Sequence, residues 1–368
     1  MMIATAAGSA GVCHAPSSPL PSGSPKREPR PMTVTLSLDE GQTLVARILE
    51  TYGCSPRNAA VIATTVIAAE RDGAASHGLF RMPGYVATLK SGWLDGKAVP
   101  KVRDAGPGLV AVDANNGFAQ VALADGRDLV TAKARTQGIA AIAIRNSHHF
   151  AALWVDVEPF AAEGLVAMAF GNARCRIAPF GGRKKLFGTN PMAFACPRRN
   201  GPPMVWDQAS SMMAHGEIQL AARHGHTLPE GAGYDAAGNP TRDPKAVLDG
   251  GALGPFGGHK GSAIALMVEL MGAALTGGDF GFEDRSGPFV GAQSSNAGEF
   301  IVLIDPARTG GDRFLDRTEE LFRRLVSDNG ARLPGDRRYA NRARSLAQRL
   351  SIEKSVHDGL LALLEEKA

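Results

Sequence analysis

From Leu44 onward apolar residues recur at helical spacing, and Ser55-Pro56 supplies an N-cap and first-turn pair ahead of an Ala-rich run. That run, Ala59 to Glu70, contains neither Gly nor Pro and predicts a helix, although Val61, Ile62, Thr64, Thr65, Val66 and Ile67 lower its propensity. Gly73 and Gly78 interrupt the pattern around Ala74-Ala75-Ser76-His77, and a second helix is predicted from Leu79 towards Lys90, with Pro83 tolerated in its first turns. After Pro100 the rhythm changes. Short β-rich runs (Leu109 to Asp113, Ile139 to Ile144, Leu165 to Phe170) alternate with helical stretches around 120–136 and 151–163. Further strands are predicted at Met192 to Cys196, Met204 to Asp207 and Phe300 to Asp305, with helices over Met212 to Arg223 and Ser262 to Leu275 between them. Beyond Arg317 the chain is amphipathic and helical again (Leu321, Leu325; later Leu346, Leu350, Leu360, Leu361, Leu364), whereas 226–257 is rich in Gly, Pro and Asp and reads as a long excursion. The pattern predicts a mixed α/β sheet domain flanked by N- and C-terminal helical segments.

Composition removes whole classes of function. The 368 residues are 44% hydrophobic and 21% charged, with 40 Lys+Arg against 36 Asp+Glu, a net charge of +4 spread along the chain rather than gathered in a stripe. That balance suits a phosphate-bearing small molecule and does not indicate a nucleic-acid surface. No apolar run approaches the roughly 18 residues a membrane span needs. Cys13, Cys54, Cys175 and Cys196 are far apart with no CxxC pair, which excludes a disulfide scaffold and fits a cytoplasmic protein. Residues 1–31 are dominated by small residues, Ser and Pro; they read as a disordered leader or an upstream start, not a signal peptide.

The polar residues cluster at the ends of these elements. There is no G-x-G-x-x-G after a strand and no phosphate-binding GxxxxGK[ST], so a Rossmann domain is not supported. Ser76-His77-Gly78-Leu79-Phe80-Arg81 gathers a hydroxyl, an imidazole that can move a proton near neutral pH and a guanidinium that matches a carboxylate. Taken alone, it reads more readily as a helix N-cap with solvated His and Arg. Ser147-His148-His149-Phe150 closes a buried-looking strand, where sheet-built sites present their groups. Phe187-Gly188-Thr189-Asn190-Pro191 is a tight turn carrying two small polar side chains. Asp207-Gln208-Ala209-Ser210 follows a strand and precedes Ala214-His215-Gly216-Glu217, where Asp207 could orient an imidazole or cap a helix. Gly257-Gly258-His259-Lys260-Gly261-Ser262 opens an apolar helix, and backbone N–H groups with Lys260 could hold a phosphate there. Arg332-Leu333-Pro334-Gly335-Asp336-Arg337-Arg338 is a turn dense in guanidinium groups. His148/His149 and His224/His226 lack ligand partners at metal spacing, so no metal site is predicted.

In this order, over roughly residues 36–340, these motifs together with Pro179-Phe180-Gly181-Gly182 resemble the malate/L-lactate dehydrogenase type 2 family. Within it, His148-His149-Phe150-Ala151-Ala152-Leu153, Ala214 to Glu217 and Gly258 to Leu266 are most similar to the Δ1-piperideine-2-carboxylate/Δ1-pyrroline-2-carboxylate reductases. The resemblance implies a non-Rossmann, L-sulfolactate-dehydrogenase-like fold on a largely antiparallel central sheet. It implies a homodimer with the site at the subunit interface, and NADPH (NADH more weakly) reducing a cyclic imino acid to L-pipecolate or L-proline. It divides the chain into substrate- and dimer-facing helices (32–112), a cofactor-binding sheet domain (113–305) and a C-terminal helical segment packing back on the first (306–368). His77 would donate the proton, with Ser76 and Glu217 as relay partners; Asp207 stays an alternative to Glu217, and His148 an alternative to His77. Arg81 and Thr189 would hold the substrate carboxylate. The cofactor would lie along His149, Phe150, Ala151, Ala152 and Leu153; Asp207, Gln208 and Ala209; His259 and Lys260; and Arg332, Leu333, Pro334, Gly335, Asp336, Arg337 and Arg338. An NAD(P)-dependent 2-hydroxyacid dehydrogenase is the alternative. A non-catalytic binding protein is disfavoured, because every polar group of the motif set is present.

Overall fold

The computed structural model describes residues 32–366; the leader expected over 1–31 lies outside the described residues. A short strand, β1 (Thr33–Leu36), leads into α1 (Leu38–Thr51). Ser37 caps α1 reciprocally: its Oγ accepts the Glu40 N–H at 3.0 Å while the Glu40 carboxylate accepts the Ser37 N–H at 2.7 Å. Ser55 caps α2 (Pro56–Arg71), with Pro56 in the first turn where the sequence places it. The next helix differs from expectation. Gly78, at ψ −138°, divides Ala75–His77 from Leu79–Arg81 as two 3₁₀ turns, and α3 (Met82–Lys90) starts three residues late. Gly78 is required by close approach, since a Cβ there would lie 3.1 Å from the Cα of Glu70.

Next come β2 (Lys101–Gly106), β3 (Leu109–Phe118), α4 (Ala119–Gln137), β4 (Ile139–His148), α5 (Trp154–Ala162), β5 (Val166–Gly171), β6 (Met192–Cys196) and β7 (Met204–Gln208). The excursion predicted over 226–257 follows α6 (His215–His224) and is ordered: β8 (Gly233–Tyr234), β9 (Pro240–Thr241), α7 (Pro244–Leu248) and β10 (Ala252–Leu253). Then come α8 (His259–Glu269), β11 (Ala297–Ile304), α9 (Arg313–Arg323), α10 (Asp336–Gln348), β12 (Leu350–Glu353) and α11 (Lys354–Glu365). No helix among the described residues is long and apolar enough to cross a membrane.

The main sheet has seven strands in the order β2-β3-β4-β11-β5-β6-β7. Only β3 and β4, joined through α4, run parallel; every other neighbouring pair is antiparallel. This is the largely antiparallel mixed sheet expected. Val110, Val112, Ile142, Ile144, Ile301 and Leu303 turn one face towards α4 and α5 (Val130, Val157, Phe160), each fully buried aliphatic contributing about 1.5–3 kcal/mol. The opposite face (Phe170, Phe300) meets Val268 of α8. A second core joins α1, α2 and α3 (Ile48, Ile62, Val66, Tyr85) to Leu350, Ile352 and Leu360 from β12 and α11. The excursion packs its own cluster of Leu228, Val247 and Leu253 on Ile177, Ile218 and Ala265.

Candidate active site

The ends of β4, β5 and β7, the 3₁₀ segment and the start of α6 surround a cavity of about 450 Å³. Ser76, His77, Arg81, Thr189, Glu217, the run His149 to Leu153 and the run Asp207 to Ala209 all line it. A second, polar cavity of about 410 Å³ is lined by Arg332 to Gly335, Arg337 and Arg338, and Asp207 borders both. Asp336 is not on that wall; its carboxylate accepts the Leu333 N–H at 3.0 Å and closes the turn. His259 and Lys260 line neither cavity. They are exposed at the start of α8, where His259 packs edge-on against Phe180 and Ser262 Oγ accepts the Phe180 N–H.

Local chemistry explains the placement. The helix expected from Ala151 begins at Trp154 because the Asp207 carboxylate accepts the Trp154 N–H at 3.2 Å, which leaves 149–153 as irregular chain along the cavity wall. Thr189 sits in a locked turn. Asn190, buried at φ 41°, donates to Ala265 O at 2.9 Å and to Glu269 at 2.6 Å. A Cβ on Gly188 would lie 2.2 Å from the Ala173 carbonyl oxygen. The start of α6 abuts Ser76, with a Cβ on Gly216 reaching within 3.6 Å of the Ser76 Cβ. Glu217 itself is exposed, and its carboxylate accepts the Ala214 N–H at 3.0 Å, capping α6.

The cavity is electropositive. Ser76 Oγ lies 3.0 Å from His77 Nδ1, and Arg81 donates from Nε to the Ser76 carbonyl at 2.8 Å. Burial, reinforced by Arg81 and His149, depresses His77 to about 4. His215 falls to about 3 through burial, Arg176 and Arg81. Arg176 falls to about 10 through burial, Arg174 and Arg81, and its Nη1 is 3.4 Å from His215 Nδ1. Arg174 is paired with Asp284 at 2.8 Å, but among the described residues Arg81 and Arg176 have no carboxylate partner. Two half-buried guanidiniums without a carboxylate partner are costly unless a ligand anion joins them.

The two adjacent histidines at the end of β4, His148 as its last residue and His149 just beyond it, part company. His148 is fully buried between Ser294 Oγ (2.8 Å) and Asn116 Oδ1 (3.0 Å) and does not line the cavity. His149 lines it and meets Asp156 at 2.9 Å. Asp207 is pushed up by burial, with Arg338 opposing at 3.9 Å; Arg338 in turn lies over Trp154 at 4.4 Å. Sequence reasoning missed Arg174, Arg176, Asp156, Glu299 and the 293–295 segment. The arginines directly after β5, and an acid inside the apolar run of β11, were the available signals; nothing marked 293–295.

Residues 36–361 match the malate/L-lactate dehydrogenase family. A Delta(1)-pyrroline-2-carboxylate/Delta(1)-piperideine-2-carboxylate reductase of Pseudomonas syringae pv. tomato is 53% identical over 323 residues, 88% of this chain and 94% of that one. A (2R)-3-sulfolactate dehydrogenase (NADP(+)) of Chromohalobacter salexigens is 43% identical over 90% of this chain and 98% of its own. The crystal structure of the delta1-piperideine-2-carboxylate reductase from Pseudomonas syringae superposes with a TM-score of 0.88 at 52% identity, covering 90% of this chain and all of that one. The sulfolactate dehydrogenase of Methanocaldococcus jannaschii superposes at 0.81 with 28% identity, over 91% and 97% of the two chains. The sheet order, the cavity at its strand ends and these likenesses over nine-tenths of the chain make this protein an oxidoreductase of the malate/L-lactate dehydrogenase family.

Proposed function

We propose that the protein reduces the C=N bond of Δ1-piperideine-2-carboxylate and Δ1-pyrroline-2-carboxylate, giving L-pipecolate and L-proline, with NADPH preferred over NADH. The observation that carries this reading is the unpaired Arg81 guanidinium beside Ser76-His77, an anion site next to a proton-handling pair. The residues present fit a phosphorylated dinucleotide. The two cavities meet at Asp207, Arg332 and Arg337 make no ion pair among the described residues, and Arg338 Nη1 is buried without a partner. When bound, NADPH supplies a hydride to C2 of the substrate.

The chain's own groups do the rest. Arg81 takes the substrate carboxylate bidentately, with the Thr189 hydroxyl beside it, and fixes C2 in place. The carboxylate also offsets the Arg81 charge that, after burial, depresses His77, so His77 gains basicity as substrate enters. Converting the imine to an amine adds one hydride at C2 and one proton at nitrogen; His77 delivers the proton and Ser76 orients its ring. Glu217, one residue beyond the Gly216–Ser76 contact, is the proposed relay carboxylate. In this reading 32–112 carries the substrate- and dimer-facing helices, 113–305 binds the cofactor and 306–368 packs back on the first part. The partner is a second copy in a cytoplasmic homodimer, supported by Leu266, Leu270 and Leu275 lying about half exposed on and just after α8. One observation favours a second reading. The unpaired Arg176 would suit a 2-keto acid with a second acid group, and hence a 2-hydroxyacid dehydrogenase. Chiral amino-acid analysis after incubation with the six-membered imine and NADPH tests the proposal: L-pipecolate is expected, and unchanged imine contradicts it.

A further inference from the structure

Glu299 is an acid in an otherwise apolar strand, Ala297-Gly298-Glu299-Phe300-Ile301-Val302-Leu303-Ile304, at the centre of the main sheet. It is 1% exposed, and neither carboxyl oxygen has a hydrogen-bond partner. Its cross-strand partner on β5 is Gly171, whose missing side chain leaves room on that face, and Gly171 lines the cavity. Its partner on β4 is the uncharged Ile144. The charged groups facing it come from the β4–α5 connection. Glu299 Oε2 is 4.0 Å from His149 Nε2, and the same nitrogen is 2.9 Å from Asp156 Oδ2. Asp156 is faced in turn by Tyr85 and Asp207, and His149 acts on His77 across the cavity.

We propose that Asp156 and Glu299 are positioning residues that hold His149 on the cavity wall as an imidazolium, Asp156 as its charged acceptor and Glu299 as a neutral, proton-bearing acid behind it. At 2.9 Å the His149–Asp156 contact is already closed by a proton. Ionising Glu299 as well would bury a second carboxylate beside Asp156 with no hydrogen bond to either of its oxygens; a proton on Glu299 avoids that. Burial and the Asp156 charge both push Glu299 up, while His149 opposes them. Burial works against the charge on His149, whereas the Asp156 hydrogen bond and charge and the Ala151 backbone favour it, Glu299 adding to them only in its ionised form. With Nε2 held by Asp156 and the ring also bonded to the Ala151 backbone, His149 is not placed to give a proton to a substrate. It is a fixed cation for an anionic ligand, and it helps to keep His77 neutral until substrate arrives. For the dinucleotide, this inference rests on the cofactor reading above.

The test uses the full chain without ligand first. In infrared difference spectra, wild type should show a protonated-carboxyl band at neutral pH that is lost at alkaline pH and absent from Glu299→Gln. In ¹⁵N NMR, His149 should be doubly protonated at pH 7 in wild type and Glu299→Gln, and singly protonated in Asp156→Asn. NADPH affinity is then followed against pH by cofactor fluorescence. Wild type should weaken on the alkaline side by at most about tenfold per pH unit, the limit for one proton. Glu299→Gln, which keeps the neutral form's shape, should match wild type at neutral pH and weaken only at higher pH. A missing carboxyl band, a neutral His149 in wild type, or superimposable pH curves for the two proteins would overturn the inference. Failure to bind NADPH at any pH would strike the cofactor reading alone, with the infrared and NMR results still deciding the state of the triad.

Discussion

Arg176 is the most consequential residue whose removal should stabilise the protein. Its guanidinium is half-buried, has no carboxylate partner, and is held down to about 10 from an ordinary 12.5 by desolvation and by Arg174 and Arg81. At neutral pH a depression of this size corresponds to an upper bound of about 3 kcal/mol of strain on the charged form, reduced to about 2 kcal/mol once solvent reaching the cavity is allowed for. Arg176→Met keeps the length of the side chain and removes the charge. We expect the ligand-free variant to gain about 1–2 kcal/mol in urea unfolding at pH 7 and low salt. Removing Arg176 also relieves His215, held at about 3 with Arg176 its main charged neighbour, so the His215 proton titration should move up in the same variant. Sulfate or acetate should stabilise wild type more than the variant, because an added anion satisfies the same guanidinium. A variant less stable than wild type, with His215 unmoved, would refute the reasoning that this cavity stores uncompensated positive charge.

His77→Ala should lower kcat by two to four orders of magnitude, the usual contribution of a positioned acid, while NADPH binding measured by fluorescence survives. Turnover near wild type would remove His77 as the donor. Arg337→Glu should raise KM for NADPH at least about tenfold more than KM for NADH, because only the former carries a phosphate for the exposed turn; equal effects would sink the clamp. His148, fully buried and depressed to about 4 chiefly by burial, must stay neutral in the fold. Its contribution, about 3 kcal/mol, is present above pH 6.5 and is lost as the pH falls towards 4. Denaturant midpoints from pH 7 to 4 should therefore fall, and less steeply in His148→Gln.

Much of the fold was legible because its signals are local. The Ser55-Pro56 cap, the strand at Met192 to Cys196 and the α4 stretch follow from caps and periodicity over a few residues. β2 escaped because its exposed, charged Lys101, Arg103 and Asp104 carry no apolar alternation, being at the sheet edge. β1 and β12 escaped because each is four residues long and exists only by pairing with the other, Thr33 opposite Glu353 and Leu36 opposite Leu350. In the site, Ser76, His77, Arg81 and Asp207 stood out as polar groups at element ends, and all reach one cavity. The alternative of His148 to His77 as proton donor needed three dimensions, since only the fold shows that His77 lines the cavity and that His148, the last residue of β4, is buried away from it. The Lys260 helix start reads as a phosphate site in sequence; α8 leaves it exposed and outside the lining of both cavities.

The central claim is that this cavity reduces a cyclic C=N bond. The most direct measurement is kcat/KM from NADPH and NADH oxidation with Δ1-piperideine-2-carboxylate, set beside pyruvate and oxaloacetate on the same preparation. The account predicts rapid NADPH-linked turnover of the cyclic imine, with NADH slower and both keto acids poor. Turnover of the keto acids with the imine inert would contradict it, leaving the family and the fold in place but moving the chemistry to a C=O bond.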